Sequence, residues 1–292
     1  MTALYFLLLL PIVAVLVVTG LSYAAFVLAL ATGRQTLFPR PWAGRGLSEL
    51  AQGLGSAVAG LCVMMAAYPL GGRLSVRSRG GRCAAGETVV VCLHGLYHNP
   101  SAFLAIRPAL VRAGFSRVVL PGYRSHGTDF EAEVRRVAAI LDQTVPADAR
   151  LCFLGHSLGG LVARRLAAEP GYARRTLAVI TLGTPHQGSA LACLAVGRLG
   201  RSLVPGSPLL ARIAALADPP GATLVAVVSP VDNLVVPDCG LDPARPGWQV
   251  VVTPPVAHVA MLYHRGVIAL VASLLARVAQ PPIGDKERDG AA

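Results

Sequence analysis

The chain has 292 residues, with 26 basic and 15 acidic side chains and a formal net charge of +11. Apolar residues make up 54% and charged residues 14%, against roughly 25% charged in an ordinary soluble domain. That balance excludes disorder for most of the chain, and 31 Gly and 22 Pro without a period exclude a collagen-like or low-complexity fibre.

Residues 1–33 carry no charge. The run from Leu4 to Leu30 is almost wholly apolar and exceeds the ~20 residues that a helix needs to cross a bilayer. A cleaved signal peptide has a positive start and a shorter apolar core; here Met1-Thr2-Ala3 is uncharged. Residues 1–33 therefore read as a retained transmembrane anchor. The segment 34–85 reads as a linker holding a second apolar stretch, 53–70, rich in Gly, Ala and Ser. Small residues of this kind let membrane helices approach closely. The stretch, stopped by Pro69 and Gly71-Gly72, reads as a second span, as a helix lying on the membrane, or as a helix packed on the globular domain. Arg34, Arg40 and Arg45 follow the first segment. By the positive-inside tendency, one span leaves the rest of the chain cytoplasmic and two spans place it outside.

From residue 86 the pattern changes. Short apolar runs recur at Thr88–Leu93, Arg117–Leu120, Leu151–Leu154, Thr176–Leu182, Thr223–Ser229 and Trp248–Thr253. Helix-like stretches such as Asp129–Thr144 and Leu158–Ala168 lie between them. Continuous apolar strands alternating with helices predict an α/β domain over 86–280, with a mostly parallel sheet covered on both faces. Residues 188–221 form an apolar, helix-like insertion between two strands, which reads either as a lid over the site or as an ordinary packing helix pair. Residues 281–292 (PPIGDKERDGAA) read as a disordered tail.

The positive charge is carried by arginine, with Lys286 the sole lysine. The arginines fall singly or in pairs, such as Arg135–Arg136, with no interleaved aromatic stripe, so nucleic acid is not an expected partner. The six cysteines form no CxxC pair, which excludes a zinc ribbon or thioredoxin motif. Cys92 and Cys152 lie in apolar runs and read as buried thiols.

The most informative stretch is Leu151-Cys-Phe-Leu-Gly-His-Ser-Leu-Gly-Gly160. A G-x-S-x-G at a strand-to-helix turn is the nucleophile elbow, which presents Ser157 at the sheet edge. The following helix aims free N–H groups and a positive dipole end at that spot. Leu93-His94-Gly95-Leu96 follows the first strand. It occupies the place of the loop that supplies a second oxyanion donor, so the N–H groups of Leu96 and Leu158 are the expected pair. His94 reads as a structural histidine that bonds the loop backbone.

His94-Gly95, Gly155-His156-Ser157-Leu158-Gly159-Gly160 and Gly183-Thr184-Pro185-His186-Gln187-Gly188 together resemble the bacterial triacylglycerol lipase and esterase branch of the α/β-hydrolase superfamily. The resemblance covers about residues 86–275. It implies a Ser–acid–His triad in that chain order, ester hydrolysis through an acyl-enzyme, and no cofactor. On that order, Asp232 in the loop after Thr223–Ser229 is the expected acid, with Asp238 the next candidate. His258, in the loop before the last helix, is the expected base, with His264 the alternative. Calcium-dependent members place an aspartate two residues after the catalytic histidine; here that residue is Ala260, and no metal is expected.

The resulting expectation is a membrane-anchored serine hydrolase acting on lipid or fatty-acyl esters, with the bacterial inner membrane as its location. An acyltransferase or thioesterase on the same triad is the alternative. A catalytically silent lipid- or partner-binding protein of this fold is a third reading.

Overall fold

The computed structural model describes residues 2–34, 36–38, 46–74 and 86–279. The tail expected at 281–292 lies outside the described residues. Ten helices among them are α1 (Thr2–Ala31), α2 (Gly46–Ala67), α3 (Gly71–Leu74), α4 (Ile106–Arg112), α5 (Phe130–Thr144), α6 (Leu158–Ala167), α7 (Pro170–Ala173), α8 (Arg198–Arg201), α9 (Pro208–Ala214) and α10 (Arg265–Ala279). The strands are β1 (Thr88–Leu93), β2 (Arg117–Val119), β3 (Arg150–His156), β4 (Thr176–Leu182), β5 (Thr223–Val228) and β6 (Trp248–Val252).

All neighbouring strands pair in parallel, in the order β2-β1-β3-β4-β5-β6. The order reverses at β1, so the chain leaves β1 and β3 toward opposite sides. In open parallel sheets the crevice at such a reversal, beyond the strands' carboxyl ends, is where ligands bind. The six strands and the expected apolar runs coincide within one or two residues. The observed sheet is the covered parallel sheet that those continuous apolar runs imply.

The two-residue period of a strand sends alternate side chains to opposite faces. On one face Val90, Cys92, Cys152, Leu154, Ile180, Val225 and Val227 pack with Ile106 and Leu110 of α4 and with Val267, Val271 and Leu275 of α10. On the other, Val89, Val91, Leu151, Phe153 and Val179 meet α5 (Val134, Val137, Leu141) and α6 (Leu161, Leu166). Asp129 starts α5 by accepting the N–H of Ala132 at 2.8 Å, the cap geometry that an aspartate before a helix provides.

The insertion 188–221 folds into a short 3₁₀ turn, α8 and α9. Its Leu199, Leu203, Leu209, Leu210 and Ile213 are buried in the second of these cores. Leu194 and Val196 remain exposed, at 73% and 67%.

The stretches Leu10–Ala31 and Gly46–Leu74 are each long and apolar enough to cross a membrane. They do not stand apart from the sheet. Tyr23, Phe26, Ala29 and Ala57 belong to the same core as α4 and α10. The opposite side of α1 exposes Leu10, Ile12, Leu16, Val17, Leu21 and Leu28. Helix α2 begins seven residues before the expected stretch and ends at Ala67, where Tyr68–Leu70 tightens into a single 3₁₀ turn containing Pro69.

Candidate active site

Ser157 sits between β3 and α6 with φ 55° and ψ −126°. A non-glycine residue rarely adopts this conformation, which costs of order 1–3 kcal/mol and persists only where surrounding structure imposes it. The constraint here is packing. A Cβ on Gly155 would lie 2.4 Å from Gly159 O, and one on Gly159 would lie 2.0 Å from Leu93 O. Only glycines let strand, turn and helix close this tightly. The Ser157 N–H donates to Leu182 O at 2.8 Å, tying the elbow to the end of β4.

Asp232 and His258 lie on the loops after β5 and β6, the next two strands along the sheet. His258 Nδ1 and Asp232 Oδ2 are 2.7 Å apart, and the two residues are 3% and 2% exposed. Asp232 Oδ1 accepts the N–H groups of Leu234 and Val235, each at 2.9 Å. The carboxylate is therefore held at both oxygens, and its remaining direction is toward the imidazole. Ser229 joins the two loops: its Oγ donates to Val256 O at 2.5 Å and accepts the Val256 N–H at 3.2 Å.

The link from Ser157 to this pair runs through its neighbour His156. The two rings of His156 and His258 are 4.8 Å apart, and His156 Nε2 lies 3.1 Å from His258 O. Among the described residues, no hydrogen bond joins Ser157 Oγ to His258. In resting enzymes such contacts are often loose and tighten with substrate.

The model of the alpha/beta hydrolase family matches residues 90–283. The chain belongs to that family. Its fold is similar to a monoacylglycerol lipase of Paleococcus ferrophilus, with 18% identity, 64% of this chain and 96% of that chain covered, and a TM-score of 0.47. It is also similar to a thermophilic esterase of Thermogutta terrifontis, with 16% identity, coverage of 68% and 92%, and a TM-score of 0.48. A third similar structure comes from work on carboxylesterases of Nitrososphaera gargenis, with 16% identity, coverage of 70% and 98%, and a TM-score of 0.47. No curated protein sequence matches the chain.

In this alpha/beta hydrolase the loop after β1 leans on the elbow: a Cβ on Gly95 would stand 3.0 Å from Ser157 Cβ. In that turn the Tyr97 N–H donates to Ser125 Oγ at 2.8 Å and the His98 N–H to Gly95 O at 3.2 Å. Leu158 is the first residue of α6, where an N–H has no partner inside the helix. His94 is held by the loop backbone and by an aromatic ring. Its Nδ1 lies 3.0 Å from Gly95 O and its ring stacks on Tyr123 at 3.9 Å. Burial pushes its pKa down to about 3.

The Gly183–Gly188 run works as a clamp. Thr184 reaches the elbow, donating to Ser157 O at 3.0 Å. Gln187 Nε2 donates to Cys239 O and Asp242 O at 2.9 and 3.1 Å, on the far side of the Asp232 loop. The adjacent Ser189 donates to Leu234 O at 2.7 Å. His186 is buried between Arg164 Nη1 and Thr181 Oγ1, each at 3.1 Å. Burial and the neighbouring Arg164 both push its pKa well below the ordinary value.

Asp238, the next candidate acid, faces elsewhere. Its carboxylate accepts the N–H groups of Thr36, Leu37 and Phe38 at 2.7, 3.2 and 3.2 Å. It thereby fixes the chain that leaves α1. Ser229, Asn233 and Ser189 all organise these loops. The sequence signalled them only as small polar residues beside the acid or the Gly-Thr-Pro-His-Gln-Gly run.

Proposed function

We propose that this protein is a membrane-anchored serine hydrolase that cleaves carboxylic esters of lipids or other fatty-acyl compounds. In this reading Ser157 is the nucleophile, His258 the base and Asp232 the residue that orients it. The observation that carries the reading is the buried 2.7 Å contact between Asp232 and His258, on the loops after β5 and β6, at the same edge of the parallel sheet as the strained Ser157 turn after β3.

A carboxylate only accepts hydrogen bonds, so Asp232 holds His258 in the tautomer with the proton on Nδ1. The Nε2 lone pair is then free to take the Ser157 proton as Oγ attacks the ester carbonyl carbon. The carbonyl oxygen gains the charge, and the N–H groups of Leu96 and Leu158 are the donors proposed for it. His258 next protonates the leaving alcohol, and the C–O bond breaks to leave the acyl-enzyme. Water, deprotonated by the same nitrogen, releases the acid.

The lipid preference rests on the apolar outer face of α1 and on the two membrane-length helices. The test is labelling with a fluorophosphonate, followed by a chain-length series of p-nitrophenyl esters. The wild type is expected to label at Ser157 and Ser157→Ala to be silent in both assays. Full labelling of Ser157→Ala would remove the assignment, and carbonate extraction of the full-length chain from membranes would remove the anchor.

A further inference from the structure

The two N-terminal helices end their packing on the loops that hold Asp232 and His258. On α1, Tyr23 Oη donates to Val231 O at 3.1 Å, one residue before Asp232. Ser22 Oγ accepts from Asn233 Nδ2 at 2.7 Å, one residue after it. Asn233 Oδ1 in turn accepts the backbone N–H of His258 at 3.2 Å. On α2, Ser56 Oγ accepts the N–H of Ala257 at 2.9 Å. A Cβ on Gly60 would lie 2.8 Å from the backbone nitrogen of Ala260. Helix α2 thus lies directly against the residues on both sides of His258.

These contacts are more than an anchor requires. A helix that only holds a protein in a bilayer needs apolar side chains, and α1 has them over most of its length. Ser22 and Asn233 are instead buried together, at 4% and 3% exposed. A buried polar group is costly unless it is paired. Here Ser22 Oγ accepts from Asn233 and donates to Thr19 O at 3.1 Å, and Asn233 uses its one side-chain acceptor, Oδ1, on His258. The result is a continuous path, Ser22 to Asn233 to the His258 main chain, across three segments distant in sequence.

We propose that Ser22 and Asn233 are positioning residues for His258, so that α1 is part of the hydrolytic machinery as well as its anchor. The path sets where the imidazole stands relative to Ser157, and loss of the α1 contact lets the 256–260 loop drift. This inference rests on the Ser157–Asp232–His258 reading above. It also predicts that hydrolysis depends on α1 being seated on the domain.

The test uses the full-length chain in detergent micelles, with Ser22→Ala, Asn233→Ala, the double variant, Ser22→Thr and the control Leu21→Ala, whose side chain is 63% exposed. A displacement of about 1 Å costs on the order of 100-fold in rate, so a partial release is expected to lower kcat about 10-fold. KM for a short p-nitrophenyl ester stays within about 2-fold, because this path holds the base and not the substrate. The double variant is no slower than Asn233→Ala, since both break one path. Ser22→Thr, which keeps the hydroxyl, recovers most of the loss, and Leu21→Ala is unchanged.

Amide exchange followed by mass spectrometry supplies a readout that needs no activity. Peptides covering 254–262 should exchange faster in Ser22→Ala and Asn233→Ala, with the β1 and β3 peptides unaltered. Multiplicative losses in the double variant, or unchanged exchange at 254–262, would overturn the proposal. A uniform rise in exchange across the sheet would overturn it too, by showing a general loss of stability. If the wild type neither labels nor hydrolyses esters, the triad reading fails, and the exchange arm alone still decides whether α1 holds the His258 loop.

Discussion

Thr184 Oγ1 donates a hydrogen bond to the carbonyl oxygen of Ser157 across 3.0 Å. The bond joins the loop after β4 to Ser157, whose backbone has a positive φ of 55°. Gly160 makes room for it: a Cβ there would stand 1.9 Å from Thr184 Oγ1. Thr184→Val keeps the shape and removes the donor, at a cost of about 1 kcal/mol. We expect the fold to persist and kcat to fall by about 5-fold, with Thr184→Ser close to wild type. Ester kinetics alongside a thermal melt check this; equal rates for Val and Ser would show that the bond does not steady the elbow.

Gly183 follows β4 with φ +54°, and a Cβ on it would lie 3.0 Å from both Asp232 Oδ2 and His258 Nδ1. Gly183→Ala therefore carries two penalties. The left-handed backbone costs about 1–2 kcal/mol with a side chain, and the methyl presses on the Asp232–His258 contact. The expected outcome is a small drop in Tm and a loss of kcat of about 100-fold or more. A variant with wild-type kcat and a lowered Tm would show that the carboxylate and the ring can yield without consequence.

Asp232 and Asp238 are six residues apart and separate by their partners. Asp232→Asn is expected to lose about 10⁴ in kcat, as a triad acid does when the wrong tautomer is favoured. Asp238→Asn removes charge from a carboxylate that accepts three amides of residues 36–38. It should weaken the attachment of the segment after α1, seen as faster protease cleavage near residue 38, with kcat lowered by less than about 10-fold. The reverse ranking of the two variants in kcat would transfer the acid role to Asp238.

The central strands were legible because each is a continuous apolar run buried on both faces, as in Thr176–Leu182; the edge strand β6 is apolar yet partly exposed. The elbow was legible because its glycines are fixed by backbone contact, not by neighbouring side chains. Asp232 and His258 could be named only through the chain order that the family resemblance implies; the two side chains lie 2.7 Å apart. The tie from Ser22 to Asn233 was not legible. It spans 211 residues, and a serine inside an apolar helix has the same local pattern whether or not it has a distant partner. The insertion was likewise legible as apolar, but no period could tell that Leu209, Leu210 and Ile213 join the α5–α6 core.

Four of the buried histidines are held below their ordinary pKa, and stability is expected to fall in acid on their account. Burial pushes His94 down to about 3 and His98 to about 4. His156 and His186 are held well below the ordinary value, by burial first and then by the neighbouring His258 and Arg164 respectively. In the unfolded chain each titrates near 6.5. Between that value and the native ones, the unfolded chain binds protons that the native protein does not, so stability falls as the pH falls. Each group contributes up to about 1.4 kcal/mol per pH unit over that window. The expected Tm is nearly constant above pH 7 and drops steeply between pH 6.5 and 4. His98 is the one to remove, because its Nε2 meets Tyr263 Oη at 3.1 Å, a contact that the amide of His98→Gln can also make. That variant should shallow the slope by about one proton without lowering Tm at pH 8. A Tm that is level from pH 7 to pH 5, or a His98→Gln slope equal to wild type, would mean that these rings gain access to water before the protein unfolds.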